Sequence, residues 1–393
     1  MRRFLLGVTA GVMAGYTIYR SMQSLRALQQ PAEPLPKDPA AYGALRRNLE
    51  LTGTMRSVAV SMAICAGGAA HAFGRTFQRG PVALRPAWFA LTGLLVSAAI
   101  ELPAAFIEEY ELERRYGLSD QTARAWFIDH AKGAALGAGV MAILSIPFAA
   151  LLRKQPNSWP IWATMGLAPL FVLAGLVVPV YIAPLFNTFE PLTGALETRL
   201  RALAARFGVG DAAILRVDMS RQTKKANAYV TGMFATHRIV IGDTLLKTFP
   251  DAEIEFVVAH ELGHYITADS WRMSGLGVAA TGIVFLLANL TMPQAKRDRY
   301  DEPAVIYELF MWITIFSTCM RPAISAFSRS REWAADRFAL AATGEGATGA
   351  AAFTRLREQN LAEDEVPRWY EILFSTHPSL GARIKTLESA ATM

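Results

Sequence analysis

The sequence predicts a mainly α-helical protein embedded in a membrane, with seven transmembrane helices and an α+β body carrying a small sheet. Three observations predict it. Hydrophobic residues make up 52% of the 393 and charged ones only 18%, against about a quarter charged in soluble domains. Seven apolar runs punctuate the chain. Two polar bodies follow the fifth and the seventh runs, the first with mixed helical and strand periodicity and the second helical. The mean hydropathy of +0.25 fits a membrane protein with a substantial polar part.

The runs lie at residues 4–19, 57–74, 86–105, 133–152, 160–185, 272–292 and 304–320. A span needs about 20 residues, and the fourth, fifth and sixth runs meet that outright. The runs at 86–105 and 304–320 carry Glu101 and Glu308. Each carboxylate either faces protein or a wet cavity, or sits near the interface; the sequence leaves both open. The first run follows Met1-Arg2-Arg3 as a signal peptide would. No Ala-x-Ala site follows, and Tyr16, Tyr19 and Arg20 make an interfacial border, so a retained helix is expected. Pro31, Pro34, Pro36 and Pro39 form a connector. His71 and His130 fall at span borders, and Cys65 and Cys319 in apolar surroundings, as small buried residues rather than a disulfide.

The expected division is a membrane domain over 1–185, a first catalytic part over 186–271, two spans over 272–320 and a second catalytic part over 321–393. In the first polar body, 196–207 has helical periodicity. Residues 213–217 and 238–241 read as strands, 226–230 as a third, and His237 as a loop residue. The second polar body reads as helices. Two spans separate the polar bodies, so both lie on one side and can build one site. The basic loop 20–56 favours a cytoplasmic catalytic side, but Arg2, Arg3 and the 296–299 loop nearly balance it. A net charge of +6 suits anionic headgroups; no basic stripe with interleaved aromatics points to nucleic acid.

The chemistry concentrates in His260-Glu261-Leu262-Gly263-His264. Residues four apart share a helix face, so two imidazoles grip one metal and Glu261 reaches a water beside it. This is the H-E-x-x-H pattern of zinc peptidases. Residues 251–258, with acids in the first turn, place it on a helix. A catalytic zinc wants three protein ligands, and no Cys pair is available. Glu332 is the best third ligand, because Asp336 lies one turn on and can accept the second N–H of a liganding His. The alternative is a solvated face, with both carboxylates paired to Arg331 and Arg337. Glu345 and Glu358 are weaker rivals. His377, before Pro378, and Arg383 suit an oxyanion. Asn227-Ala228-Tyr229 suits a sheet edge that takes substrate as an added strand.

In order along the chain, these segments resemble the type I CAAX prenyl proteases, integral-membrane zinc endopeptidases of the gluzincin kind. The run from Glu108-Glu109-Tyr110-Glu111-Leu112-Glu113-Arg114-Arg115-Tyr116-Gly117-Leu118 to Phe127-Ile128-Asp129-His130-Ala131-Lys132 resembles the family's amino-terminal signature. Ile182-Ala183-Pro184-Leu185-Phe186-Asn187 and Asp243-Thr244-Leu245-Leu246 add to it. The resemblance implies one Zn2+ per chain on His260, His264 and Glu332, with Asp336 behind them. It gives Asn227 and His377 the substrate or oxyanion contacts. It also implies seven helices enclosing a chamber, and a cytosolic catalytic side. The chain departs in Tyr265, where the family often has Trp, in Asp269, where it often has a further His, and in the basic Lys224-Lys225.

The expected function is therefore zinc-dependent hydrolysis of peptide bonds in peptide or membrane-protein substrates, with the lipid bilayer as the other partner. The Ala- and Arg-rich composition suggests a bacterial inner membrane, and no prenylated substrate is required. The second reading is a zinc-binding membrane scaffold or chaperone-like protein without catalysis. The intact Glu261 argues against it.

Overall fold

The structure, a computed structural model, describes residues 35–66, 84–232 and 236–392. The first apolar run, the prolines at 31 and 34, and His71 lie outside the described residues. Helix α1 (Pro39–Ala66) leads into α2 (Arg85–Ala105), α3 (Ala123–Lys154) and α4 (Trp159–Val177). The first catalytic part then gives β1 (Phe189–Pro191), α5 (Ala195–Ala205), β2 (Ala213–Val217), β3 (Ala228–Thr231), β4 (Arg238–Gly242) and α6 (Asp251–Ile266). The chain continues through α7 (Asp269–Thr291), α8 (Pro303–Thr343), α9 (Gly346–Gln359), a short helix over Arg368–Leu373 and α10 (Leu380–Ala391).

Among the described residues, five helical stretches are long and apolar enough to cross a membrane: Arg85–Arg115, Ala123–Lys154, Trp159–Leu185, Asp269–Thr291 and Pro303–Thr343. Ile143, Ile161 and Leu290 on them are exposed, as a lipid-facing surface requires. Helices α1 and α3 start well before their apolar runs, and two more continue past theirs. The α2 stretch continues through a π-turn, Phe106–Glu111, and a last turn, Leu112–Arg115. Helix α8 runs unbroken past residue 320 and joins the seventh apolar run to the second polar body. Both embedded carboxylates find cations: Glu101 accepts from Arg56 at 2.7 Å, and Glu308 pairs with Lys296 in the turn after α7.

The sheet has the order β1-β2-β4-β3. Strands β2 and β4 are parallel at its centre, and β1 and β3 pair antiparallel outside them. Ile239, Val240 and Ile241 are all buried, as a central strand covered on both faces demands. The main core joins Leu200, Ile214, Ile241, Phe256, Leu262 and Phe353, so both polar bodies share one interior. A second cluster lies among the spans, around Leu152, Trp159, Met292, Tyr300 and Leu309. There the Trp159 indole donates to Asn289 at 2.8 Å, which satisfies a buried polar pair.

Candidate metal centre

Helix α6 carries its apolar residues Ile254, Phe256, Val258 and Leu262 into the core, and this fixes which face shows the imidazoles. His260 and His264 lie one turn apart, with ring centres 4.8 Å apart and Nε2 atoms 3.2 Å apart. Helix α8 crosses the same face. Gly263 allows it: a Cβ there would lie 3.0 Å from Ala335 Cα and 3.2 Å from Phe338. The close approach brings Glu332 Oε2 to 3.4 Å from His260 Nε2, and Oε1 to 3.3 Å from His264 Nε2. Ligand atoms of the three residues all lie within 4.8 Å of one another. Neither Glu345 nor Glu358 joins them.

The outer contacts settle the chemistry of these donors. His260 Nδ1 lies 2.9 Å from Asp336 Oδ1, and His264 Nδ1 lies 2.9 Å from Asp269 Oδ2. Each Nδ1–H donating to a carboxylate turns the Nε2 edge toward the other ligands, so the neutral ring offers its lone pair there. The carboxylates are held in turn. Arg383 donates to Asp336 through Nε at 2.8 Å and Nη2 at 2.7 Å. Arg331 Nε donates to Asp269 at 2.6 Å. Glu332 Oε2 is buried and has no hydrogen-bond partner, although His260 Nε2 and Arg383 Nη1 stand 3.3–3.4 Å away. Two converging Nε2 atoms and a buried carboxylate oxygen without a hydrogen bond fit a divalent cation.

Titration follows the same contacts. Burial pushes the His264 imidazolium down, but hydrogen bonds to Glu332 and Asp269 outweigh it and raise its pKa to about 9. His260 is raised as well: burial opposes the charge, and Asp336 and Glu332 overcome it. Half-buried Glu261 is raised chiefly by burial, with both imidazoles pulling the other way.

The structure gathers His260, Glu261, His264, Glu332, Asp336, His377 and Arg383 in one place. The exposed His377 puts Nε2 3.3 Å from Glu332 Oε1. Arg383 is 5% exposed and fully engaged with Asp336 and Glu332. Asn227, just before edge strand β3, is exposed; on the strand Ala228 is buried and Tyr229 half-buried, and β3 packs along α6. His237 takes a hydrogen bond with Tyr265 Oη at 2.9 Å. One functional pair escaped the sequence reading: Asp269 with Arg331. Its signal was an acidic residue five positions after the second imidazole, at the start of the next helix. Arg331 consequently bonds to Asp269, and Asp336 bonds to Arg383, unlike the solvated-face alternative.

Comparison with known proteins decides the family. Peptidase family M48 matches residues 191–391. The chain belongs to peptidase family M48. Residues 37–188 match the CAAX prenyl protease N-terminal region with five membrane helices, which places this M48 member among the CAAX prenyl proteases. An uncharacterized metalloprotease, YhfN, of Bacillus subtilis is 27% identical over 75% of this chain and 71% of its own. CAAX prenyl protease 1 of Saccharomyces cerevisiae is 26% identical over 75% and 71%, and a rice homologue 29% over 76% and 72%. The crystal structure of S. mikatae Ste24p superposes with a TM-score of 0.75 over 98% of each chain at 21% identity, so the fold is shared throughout. This M48 member is an integral membrane metalloprotease, a hydrolase acting on peptides or proteins.

Proposed function

We propose that this protein is a zinc-dependent endopeptidase with one Zn2+ per chain, held by His260, His264 and Glu332. The observation that carries the reading is the convergence of two Nε2 lone pairs on a buried Glu332 oxygen without a hydrogen bond. Bound zinc supplies Lewis-acid activation of water and of the scissile carbonyl. Glu261 takes the proton of the attacking water and passes it to the leaving nitrogen as the C–N bond breaks. Its raised pKa suits a group that must both accept and return a proton. His377, open to the cleft, donates to the developing oxyanion. Arg383 acts through Asp336 and Glu332, which it holds in place. Asn227, Ala228 and Tyr229 receive the substrate along β3, with Asn227 donating to a substrate carbonyl.

The bilayer part is read as seven helices around a chamber, over residues 1–185 and 272–320. Residues 186–271 and the chain beyond 320 make the catalytic body. Two hollows support the chamber. One of about 850 Å³ lies between the spans, lined by Phe89, Leu94, Leu152, Phe285, Tyr307 and Phe310. Another of about 630 Å³ lies where the spans meet the catalytic body, beside Glu109, Trp126, Phe186 and Lys225. The substrates are peptides or membrane proteins. The membrane is read as a bacterial inner membrane with the catalytic body in the cytoplasm.

The test uses purified protein in detergent, a fluorogenic peptide and metal analysis. Zinc at one per chain and cleavage abolished by a chelator are expected. Glu261→Gln should keep its zinc and lose about 10²–10⁴-fold in kcat. Full cleavage by that variant would overturn the assignment and favour a scaffold.

A further inference from the structure

The segment leading into β3 is held by the end of α9. Gln359 Nε2 donates to Lys224 O at 2.8 Å. Asn360 takes both main-chain groups of Ala226: Oδ1 accepts from its N–H at 2.8 Å, and Nδ2 donates to its carbonyl at 3.1 Å. A side-chain amide thus stands where a neighbouring strand would stand. The next residue, Leu361, has φ 52°, a conformation rare for any side chain but glycine's absent one. Leu361 is buried with Tyr42, Leu49, Leu112, Tyr116 and Leu118. That packing holds the unfavourable turn, and the turn aims Asn360 at Ala226. Backbone strain kept in place by its surroundings points to a use.

Among the described residues, strand β3 has a neighbour, β4, on one side only. Gly242 N donates to Asn227 O at 2.9 Å, so Asn227 turns its carbonyl toward β4. Alternate residues of an antiparallel ladder turn both main-chain groups to the same side. Ala226, Ala228 and Val230 therefore turn theirs the other way, to the free edge. Asn360 occupies the first of the three.

We propose that Asn360 terminates the free edge of β3, so that a bound peptide pairs at Ala228 and Val230 and stops short of Ala226. The inference rests on the reading of β3 as the substrate strand. Asn360 touches no reacting atom. It is a positioning residue that limits how many substrate residues are read through their main chain, and so sets the useful substrate length at one end.

The test compares the zinc-loaded wild type with Asn360→Ala and Asn360→Asp in detergent. The peptides share one scissile bond and are lengthened one residue at a time at either end. Neither substitution touches the hydrogen bond from Thr244 Oγ1 to Lys225 O, 2.8 Å in the wild type. In the wild type, kcat/KM should stop rising with length at one end. In Asn360→Ala it should rise over about two further residues, by roughly three- to tenfold, mostly through KM because the added pairing is uniform binding. Asn360→Asp keeps the acceptor for the Ala226 N–H and should gain less. Hydrogen exchange gives a second readout: the Ala226 amide of Asn360→Ala should exchange faster than wild type, and only the longer peptides should protect it. Superimposable length profiles, with no protection by long peptides, would overturn the proposal. If Asn360→Ala does not fold, the same comparison with Asn360→Asp decides it. Failure of the underlying reading looks different: Asn227→Ala would then leave kcat/KM unchanged at every peptide length.

Discussion

The two sides of the metal centre are built alike but buried differently. Each imidazole leans on a carboxylate, and each carboxylate on an arginine. On the His260 side, His260, Asp336 and Arg383 are all nearly inaccessible, between 3% and 5% exposed. On the other side, the His264 side chain is 25% exposed, although Asp269 and Arg331 behind it are largely covered. A buried charge left without its partner costs far more than an exposed one. The comparison teaches that the inner arm fixes the geometry, whereas the outer arm tunes a ligand already open to the cleft.

The sharpest way to break this comparison is to neutralise each arm in turn. Asp336→Asn should weaken zinc binding about 100-fold, because it removes the negative charge behind His260, turns one of two accepting oxygens into a donor and strands the Arg383 charge. Asp269→Asn should weaken it about tenfold. Competition with a chromophoric chelator measures both, and equal losses would erase the distinction. Gly263→Ala tests both arms together. Its methyl meets Ala335 and Phe338, so α8 must shift. Stability should fall by about 1–3 kcal/mol, read as a lower denaturation midpoint, with zinc content falling too.

The smallest effect is protonic. The metal-free His264 has its pKa raised to about 9, so at pH 7–8 its ring carries a proton that zinc must displace. Calorimetry in buffers of different ionisation enthalpy should show close to one proton released from this ring, and zinc affinity should rise with pH until about 9. The sign for the metal-free fold is opposite. The contribution of a raised His is complete below its unfolded value of about 6.5 and is lost as pH climbs toward 9. Metal-free and zinc-loaded protein should therefore diverge in melting temperature as pH increases.

Much of this was legible beforehand, for identifiable reasons. The imidazole pair stood out because side chains four apart share a helix face, and Glu332 because Asp336, one turn on, can accept from a liganding His. Strands β2 and β4 stood out because runs such as Arg238-Ile239-Val240-Ile241 are dense in branched side chains. Strand β1 did not, since three residues ending in Pro191 carry almost no periodicity. Asp269 was seen only as a departure from a resemblance, because its role depends on how α7 starts after Ala268 turns left-handed at φ 56°. Asn360 carried no signal at all: its meaning lies in a contact 134 residues away along the chain. The reach of α8 past residue 320 was hidden because its polar half looks like ordinary surface helix.

That last helix has a mechanical consequence. Its 41 residues form a rod about 60 Å long, with one end among the lipids and Glu332 near the other. A thinner or thicker bilayer is met by tilting such a rod. The rod also carries Glu332 to the imidazoles of α6, so the spans and the candidate metal site share one continuous helix.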